Sequence, residues 1–184
     1  MKQRLIRKVA ILGSGVMGSR IACHFAGTGH EVLLLDIVPK DLPTNASPSV
    51  KNKIVNDALV AAIKSNPSPV YTKDVVKKIT TGNFTDNMKD IATCDWIIEV
   101  VVERLDIKQT VFKALEEVVS PTCTLATNTS SLSVTAIGSA LTHPGRFAGY
   151  HFFNPVPLMR VVEVIAGLKT DAAVCAQLTQ FALD

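Results

Sequence analysis

The sequence predicts an α/β fold in which a doubly wound, mostly parallel sheet lies between helices and has antiparallel strands at its C-terminal end. Short apolar segments rich in branched residues alternate along the chain with segments of helical spacing. The residues are 47% hydrophobic but only 5% aromatic, a composition that suits a buried parallel sheet. With 184 residues we expect one domain, spanning positions 1–184.

The beginning of the chain indicates a strand, a helix and a second strand. The apolar run Val9–Leu12 is followed by glycines, Val16–Ala26 has apolar residues at helical spacing, and Glu31–Ile37 is rich in branched residues. Together these segments have the length of a βαβ unit, about 30 residues. This length predicts that the first two strands are parallel.

The later elements follow from the same periodicities. The prolines of Pro39–Ser49 predict a loop. We predict helices at Val50–Lys64, Lys73–Lys78, Ile107–Val119, Val134–Leu141 and Asp171–Leu183, and strands at Lys78–Thr81, Trp96–Val102, Thr124–Thr127, Phe147–His151 and Val161–Ile165. The segment Pro155–Pro157 allows only a short turn, so we expect the last two strands to be antiparallel.

Charge and cysteine usage exclude several classes of protein. A net charge of +3 is too small to indicate a nucleic-acid partner. No apolar run has the length of a membrane span, and the run from Val9 breaks at Gly13, so we expect no membrane partner and a cytoplasmic location. The basic residues at positions 2, 4, 7 and 8 are interpreted as a solvated leader. The four cysteines form no CxxC pair, which indicates buried thiols and no metal site.

A glycine-rich turn follows the first strand and opens the first helix. In the order of the chain it reads Gly13, Ser14, Gly15, Val16, Met17, Gly18. The first glycine permits the tight turn, the second lets the backbone approach a pyrophosphate, and the third lets the helix pack closely on the strand. The helix N-terminus attracts the phosphates. This context predicts a Rossmann-type dinucleotide site.

Asp36 identifies the dinucleotide that this site should bind. It ends the second strand, 18 residues after Gly18. A carboxylate at that position accepts hydrogen bonds from the adenosine ribose and repels a 2′-phosphate. We therefore predict NAD rather than NADP as the cofactor.

A second group of polar residues follows later strands. Asn128 and Ser130 come after one strand, His151 lies at the end of another, and Glu163 lies inside an apolar strand where an unpaired carboxylate is costly. The separation of 12 residues allows His151 and Glu163 to face each other on adjacent strands. A His–Glu pair can act as a general base, and Ser130 can donate a hydrogen bond to a substrate oxygen. Beside a nicotinamide, this group predicts alcohol oxidation.

The segments Gly13–Gly18, Asn128–Leu132 and Gly149–Pro157 together resemble the NAD-binding domain of the L-3-hydroxyacyl-CoA dehydrogenases of fatty-acid β-oxidation and butanoate metabolism. The resemblance implies a catalytic His151 with Glu163 as its partner, and Ser130 near the substrate oxygen and the nicotinamide. It also implies an acyl-CoA substrate. The cofactor residues it implies are Gly13, Gly15, Val16, Met17, Gly18, Asp36, Glu103, Lys108, Asn128 and Ser130.

The resemblance implies two further features. The family has a second, helical domain that completes the active site and forms the dimer, and we expect that domain to be absent from residues 1–184. Without this cover, apolar residues of the last helix are expected to promote self-association. The family's acyl-CoA-contacting arm should lie within Asp41–Ser68, where the lysines of Val50–Lys64 suit CoA phosphates.

The sequence is compatible with three functional hypotheses. The first is NAD-dependent oxidation of an (S)-3-hydroxyacyl-CoA to the 3-oxoacyl-CoA. The second is a related dehydrogenase of a small hydroxy acid, which is favoured if Val50–Lys64 packs flat on the sheet and leaves no cleft. The third is an NAD-binding module without catalysis of its own.

Overall fold

The computed structural model describes residues 5–183, which form one seven-stranded sheet with helices on both faces. The strands are β1 (Lys8–Leu12), β2 (Glu31–Asp36), β3 (Ile79–Asn83), β4 (Trp96–Glu99), β5 (Thr124–Thr127), β6 (Phe147–Phe152) and β7 (Val162–Ala166). The helices are α1 (Val16–Gly27), α2 (Pro48–Lys51), α3 (Lys53–Ile63), α4 (Lys73–Val76), α5 (Phe84–Asn87), α6 (Leu105–Glu116), α7 (Val134–Gly138) and α8 (Ala172–Leu183). Short 3₁₀ segments occupy Met88–Thr93 and Pro144–Arg146.

The strand order β3-β2-β1-β4-β5-β6-β7 confirms the predicted doubly wound sheet. The pairings from β3 across to β6 are parallel, and β6 pairs with β7 antiparallel. The order reverses between β1 and β4, and ligands of such sheets bind beyond the carboxyl ends of the strands at this reversal. The fold therefore places the glycine turn after β1 at this position.

Two apolar layers cover the sheet. One face packs against α1, α3 and α8 through residues such as Phe25, Leu59 and Leu178, and the other packs against α6 and α7 through Phe112 and Ile137. Trp96 is fully buried in the first layer, and its ring lies 4.7 Å from that of Tyr150. Strands β1 and β2 are apolar on both faces over Val9–Leu12 and Val32–Leu35 because both faces are covered, as expected for a buried parallel sheet.

Several predicted elements need correction. The helix predicted at Val50–Lys64 is two helices, α2 and α3, separated at Asn52. Neither α5 nor the 3₁₀ segment Met88–Thr93 was predicted, because both are short and lack helical periodicity. The connection between β6 and β7 spans residues 153–161, so it is longer than the predicted short turn, although the antiparallel pairing is confirmed.

The start of the described chain is more ordered than a solvated leader. Lys8 begins β1, and the backbone N–H groups of Arg7 and Lys8 donate to Asp95 Oδ2 at 2.9 and 3.1 Å. The leader interpretation is therefore wrong for Lys8, whereas Arg7 precedes β1 and is exposed, and Lys2 and Arg4 lie outside the described range. In residues 5–183 no helix is long and apolar enough to cross a membrane.

Cysteines and the last helix largely serve packing. Cys23, Cys94 and Cys123 are buried, and burial raises the pKa of the Cys23 and Cys94 thiols to about 11. Within α8, Leu178 is fully buried and Phe181 packs against the core. Leu183 remains 78% exposed, and self-association through this helix stays a prediction.

Candidate active site

The glycine turn packs so closely that a Cβ on either of two of its glycines would collide with backbone atoms. Gly13 has a φ of +103° and donates its N–H to the Leu35 carbonyl at 2.8 Å. A Cβ on Gly13 would lie 2.6 Å from the Val100 carbonyl oxygen, and one on Gly18 would lie 1.8 Å from the Gly13 carbonyl oxygen. At Gly15, by contrast, a Cβ would meet nothing within 4 Å. The second glycine therefore faces open space, as a backbone that approaches a ligand should.

Asp36 lies against this turn. Its Oδ2 accepts from the backbone N–H of Ser14 at 2.6 Å and also from the Ser14 hydroxyl, while Oδ1 accepts from the Ile37 N–H at 2.7 Å. Ser14 is buried. The carboxylate that the sequence assigned to the ribose is thus held at the rim of the glycine turn by a serine whose role the sequence did not reveal.

His151 and Glu163 lie opposite each other in the β6–β7 register. The distance between His151 Nδ1 and Glu163 Oε2 is 2.8 Å, so the carboxylate can hold the imidazole in one orientation. One premise of the sequence argument was wrong, because the Glu163 side chain is 54% exposed on an edge strand rather than buried. The hydrogen bond leaves Nε2 as the ring nitrogen available to a reacting group.

One cleft of about 450 Å³ is lined by residues of both predicted groups, the glycine turn and the polar residues that follow later strands. The lining residues that the sequence had singled out are Gly15, Val16, Met17, Glu103, Lys108, Asn128, Ser130 and His151. Asn128 also accepts a hydrogen bond from the Phe152 N–H through Oδ1 at 2.8 Å, which ties the end of β5 to the end of β6. The lining of this cleft does not include Asp36, Glu163, Gly13 or Gly18.

Lys108 and Glu103 occupy one wall of the cleft. The Lys108 Nζ lies 3.1 Å from Glu103 Oε2 and 2.7 Å from Glu99 Oε1, and its side chain is 1% exposed. The Glu103 carboxylate accepts from the Thr129 and Ser131 hydroxyls. Burial acts to raise the pKa of Glu103, but these hydroxyls and the Lys108 ammonium outweigh it and bring that pKa to about 2.

Sequence reasoning missed the polar group behind this wall. Glu99 is fully buried at the end of β4 and accepts from Lys108, from the Thr127 hydroxyl at 2.7 Å and from the Val101 N–H at 2.7 Å. A carboxylate inside the apolar segment Trp96–Val102 was the available signal, because such a group requires a buried partner. That partner, Lys108, could not be recognised because it comes nine residues later on a helix, where lysines are usually exposed.

Two lysines of the predicted CoA arm form ion pairs with aspartates of this chain. Lys51 pairs with Asp86 at 3.1 Å, and Lys53 pairs with Asp57. Helix α3 packs on the sheet through buried Val55, Leu59 and Ala62, and no residue of α2 or α3 lines the cleft. Contact between the lysines of this segment and CoA phosphates therefore stays a prediction.

Comparison with known proteins agrees with this arrangement. Residues 8–184 match the family described as 3-hydroxyacyl-CoA dehydrogenase, NAD binding domain. A probable 3-hydroxyacyl-CoA dehydrogenase from Bacillus subtilis is 39% identical over 186 residues, which cover 96% of this chain and 24% of that protein. The 3-hydroxyadipyl-CoA dehydrogenase of Escherichia coli is 38% identical, with 97% of this chain and 36% of that protein covered.

A solved structure is similar over almost the whole chain. The crystal structure of (S)-3-hydroxybutyryl-CoA dehydrogenase from Ralstonia eutropha aligns with a TM-score of 0.76 and 30% identity, covering 97% of this chain and 60% of that one. The chain thus spans about a quarter to three fifths of the length of these relatives. With its match to the family over residues 8–184, the chain belongs to the NAD-binding domains of the 3-hydroxyacyl-CoA dehydrogenases.

Proposed function

We propose that this chain is the coenzyme-binding and proton-transferring part of an NAD-dependent dehydrogenase that converts an (S)-3-hydroxyacyl-CoA to the 3-oxoacyl-CoA. The observation that carries the proposal is the His151–Glu163 pair, 2.8 Å apart, with His151 lining the same cleft as Gly15 and Ser130. A general base beside a dinucleotide site is the arrangement that alcohol oxidation requires.

The residues present fit a dinucleotide. Helix α1 begins at Val16 without a side-chain cap, so the N–H groups of its first turn are available to phosphate oxygens. The open space at Gly15 lets a pyrophosphate approach the backbone. Asp36 would receive the adenosine ribose, exchanging the Ser14 hydroxyl for a ribose hydroxyl. When bound, NAD supplies a hydride acceptor.

Residues of this chain can take up the proton that alcohol oxidation releases. His151 Nε2 takes the proton of the substrate hydroxyl as the C–H bond releases its hydride. Glu163, bonded to Nδ1, stabilises the imidazolium that forms and fixes the tautomer. Ser130 lies in the same cleft, where its hydroxyl can donate to the substrate oxygen. Glu103, Lys108 and Asn128 complete the wall that holds the nicotinamide end of the coenzyme.

A dehydrogenase of a hydroxy acid without CoA is the second candidate. The packing of α3 against α1 and the edge of the sheet favours it, because no residue of this predicted arm lines the cleft that holds His151. The acyl-CoA substrate rests instead on the relatives, whose names include 3-hydroxyadipyl-CoA and 3-hydroxybutyryl-CoA dehydrogenases. The cytoplasmic location also stays a prediction.

A turnover assay separates these candidates. The purified chain is given NADH with acetoacetyl-CoA or with free acetoacetate, and coenzyme oxidation is followed by absorbance. We expect oxidation with the CoA thioester only. Equal rates with the free acid would support the second candidate. Measurable NAD binding with no oxidation of NADH would leave a coenzyme-binding module and contradict autonomous catalysis.

A substitution at Gly15 tests the coenzyme site without disturbing the fold. Because an alanine Cβ there meets no protein atom within 4 Å, we expect Gly15→Ala to keep the wild-type melting temperature. The same methyl group would occupy the approach to the pyrophosphate, so we expect NAD affinity to fall at least about tenfold. Calorimetric titration with NAD measures the affinity, and Gly27→Ala, also unobstructed and in the same helix, is the control. Unchanged affinity in Gly15→Ala would place the pyrophosphate elsewhere.

A further inference from the structure

Glu99 is an ionised carboxylate that the proposed chemistry leaves unused. Its side chain is fully buried, and each of its three close polar neighbours is a donor: the Lys108 ammonium, the Thr127 hydroxyl and the Val101 N–H, all at 2.7 Å. Burial acts to raise the pKa of Glu99, but the Lys108 ammonium, buried beside it at 2.7 Å, favours the ionised carboxylate, and the Thr127 hydroxyl and the Val101 N–H donate to it as well. The carboxylate therefore carries its charge in the folded protein, matched by Lys108.

Lys108 is held behind the surface of the cleft. Its ammonium contacts Glu99 Oε1 at 2.7 Å, Glu103 Oε2 at 3.1 Å and the Val101 carbonyl at 3.4 Å, so its three protons have three acceptors. Its side chain is 1% exposed, whereas that of Glu103 is 40% exposed. The group that presents charge to the cleft is thus Glu103, with the lysine behind it.

The charges of this cluster do not cancel. One ammonium lies between two carboxylates, which leaves one net negative charge. The buried carboxylate has the shorter contact to the ammonium, so Glu103, at the exposed end, is the less fully compensated of the two. Of the other titratable groups, His151 on β6 also lines the cleft, and it is bonded to Glu163 on β7.

We propose that Glu99 is a positioning residue that shares the Lys108 ammonium and so leaves Glu103 with an incompletely compensated negative charge facing the nicotinamide. This inference rests on the proposed function. The oxidised nicotinamide ring is a cation and the reduced ring is neutral, while the rest of the coenzyme is the same in both. The cluster therefore favours NAD⁺ over NADH, which suits a site that must bind the oxidant and release the reduced product.

The test is the ratio of the affinities for NAD⁺ and NADH, measured by calorimetry on wild type and Glu99→Gln. Glutamine keeps the size of the side chain but removes its charge, so Lys108 is left to neutralise Glu103. We expect Glu99→Gln to weaken NAD⁺ binding about three- to tenfold more than NADH binding, as the loss of one partly screened charge predicts. Restoration of the ratio in Glu99→Asp would support the assignment to charge.

Two controls separate charge from structure. Thr127→Val breaks a hydrogen bond to the same carboxylate without changing the charge, so we expect it to affect both coenzyme forms alike. Glu31→Gln removes an exposed carboxylate at the start of β2, away from the cleft, and should leave the ratio unchanged. An equal loss for both forms in Glu99→Gln would overturn the proposal, since a merely structural role predicts that result.

Glu103→Gln gives a second route if Glu99→Gln does not fold. It removes the charge at the exposed end of the cluster, so the preference for NAD⁺ must fall in this variant as well. An unchanged ratio in Glu103→Gln would overturn the proposal independently. Failure of the wild type to bind either coenzyme form would instead contradict the proposed function, so the two failures are distinguishable.

Discussion

Replacing His151 by alanine is expected to lower turnover by a factor of about 10² to 10⁴, the range that a positioned general base contributes. The imidazole is the group in the cleft placed to take the hydroxyl proton, and Glu163 cannot replace it because its carboxylate is bonded behind the ring at Nδ1. Coenzyme affinity should change little, because the proposed phosphate and ribose contacts lie at the glycine turn, on α1 and at the end of β2.

The measurement pairs the turnover assay with calorimetric NAD binding. His143→Ala is the matched control, because His143 is exposed and does not line the cleft. Glu163→Gln should give a smaller loss, since the ring remains but its orientation and the imidazolium are less well supported. If His151→Ala retains wild-type turnover, the base is another residue and the proposed mechanism is wrong.

Replacing Gly18 by alanine is expected to destabilise the fold by at least about 3 kcal/mol. The added Cβ would lie 1.8 Å from the Gly13 carbonyl oxygen, which is backbone and cannot rotate away as a side chain could. Relief requires α1 to move away from β1, and this movement would open the apolar layer around Ile21 and Phe25. NAD binding should be lost together with stability, unlike in Gly15→Ala.

Urea unfolding followed by circular dichroism measures this effect. Gly27→Ala is the control, because a Cβ at the end of the same helix meets nothing within 4 Å. That variant should keep the wild-type free energy of unfolding or gain up to about 1 kcal/mol, as glycine-to-alanine changes do at compatible positions. A Gly18→Ala protein with the same midpoint as Gly27→Ala would contradict the close contact between turn and helix.

The parts of the fold that were predictable are those with strong local signals. The first βαβ unit could be predicted because the glycine turn fixes the junction of β1 and α1, and the apolar runs fix the strands on either side. The opposition of His151 and Glu163 could be predicted from strand parity. In each case, neighbouring residues or a regular pattern determine the outcome.

The parts that could not be predicted depend on distant polar contacts. Helix α5 has only four residues, and its start is capped by Asn83, whose side chain accepts from the Asp86 N–H. The Glu99–Lys108 pair joins a strand to the following helix, and on the sequence Lys108 looks like an exposed helical lysine. Ser14 gives no sign that its hydroxyl reaches Asp36, 22 positions away. Such contacts are set by the packing of the sheet rather than by local pattern.

The position of β7 at the end of the sheet affects how long the contact between His151 and Glu163 persists. Within residues 5–183 this strand pairs with β6 alone, and Glu163 on it is half exposed. Edge segments with solvated hydrogen bonds open at a lower free energy than the central strands. Fraying of β7 would release the carboxylate from His151 while the glycine turn, anchored in the central strands, stays intact. Catalytic competence would therefore fade under mild heating or denaturant before the capacity to hold coenzyme does.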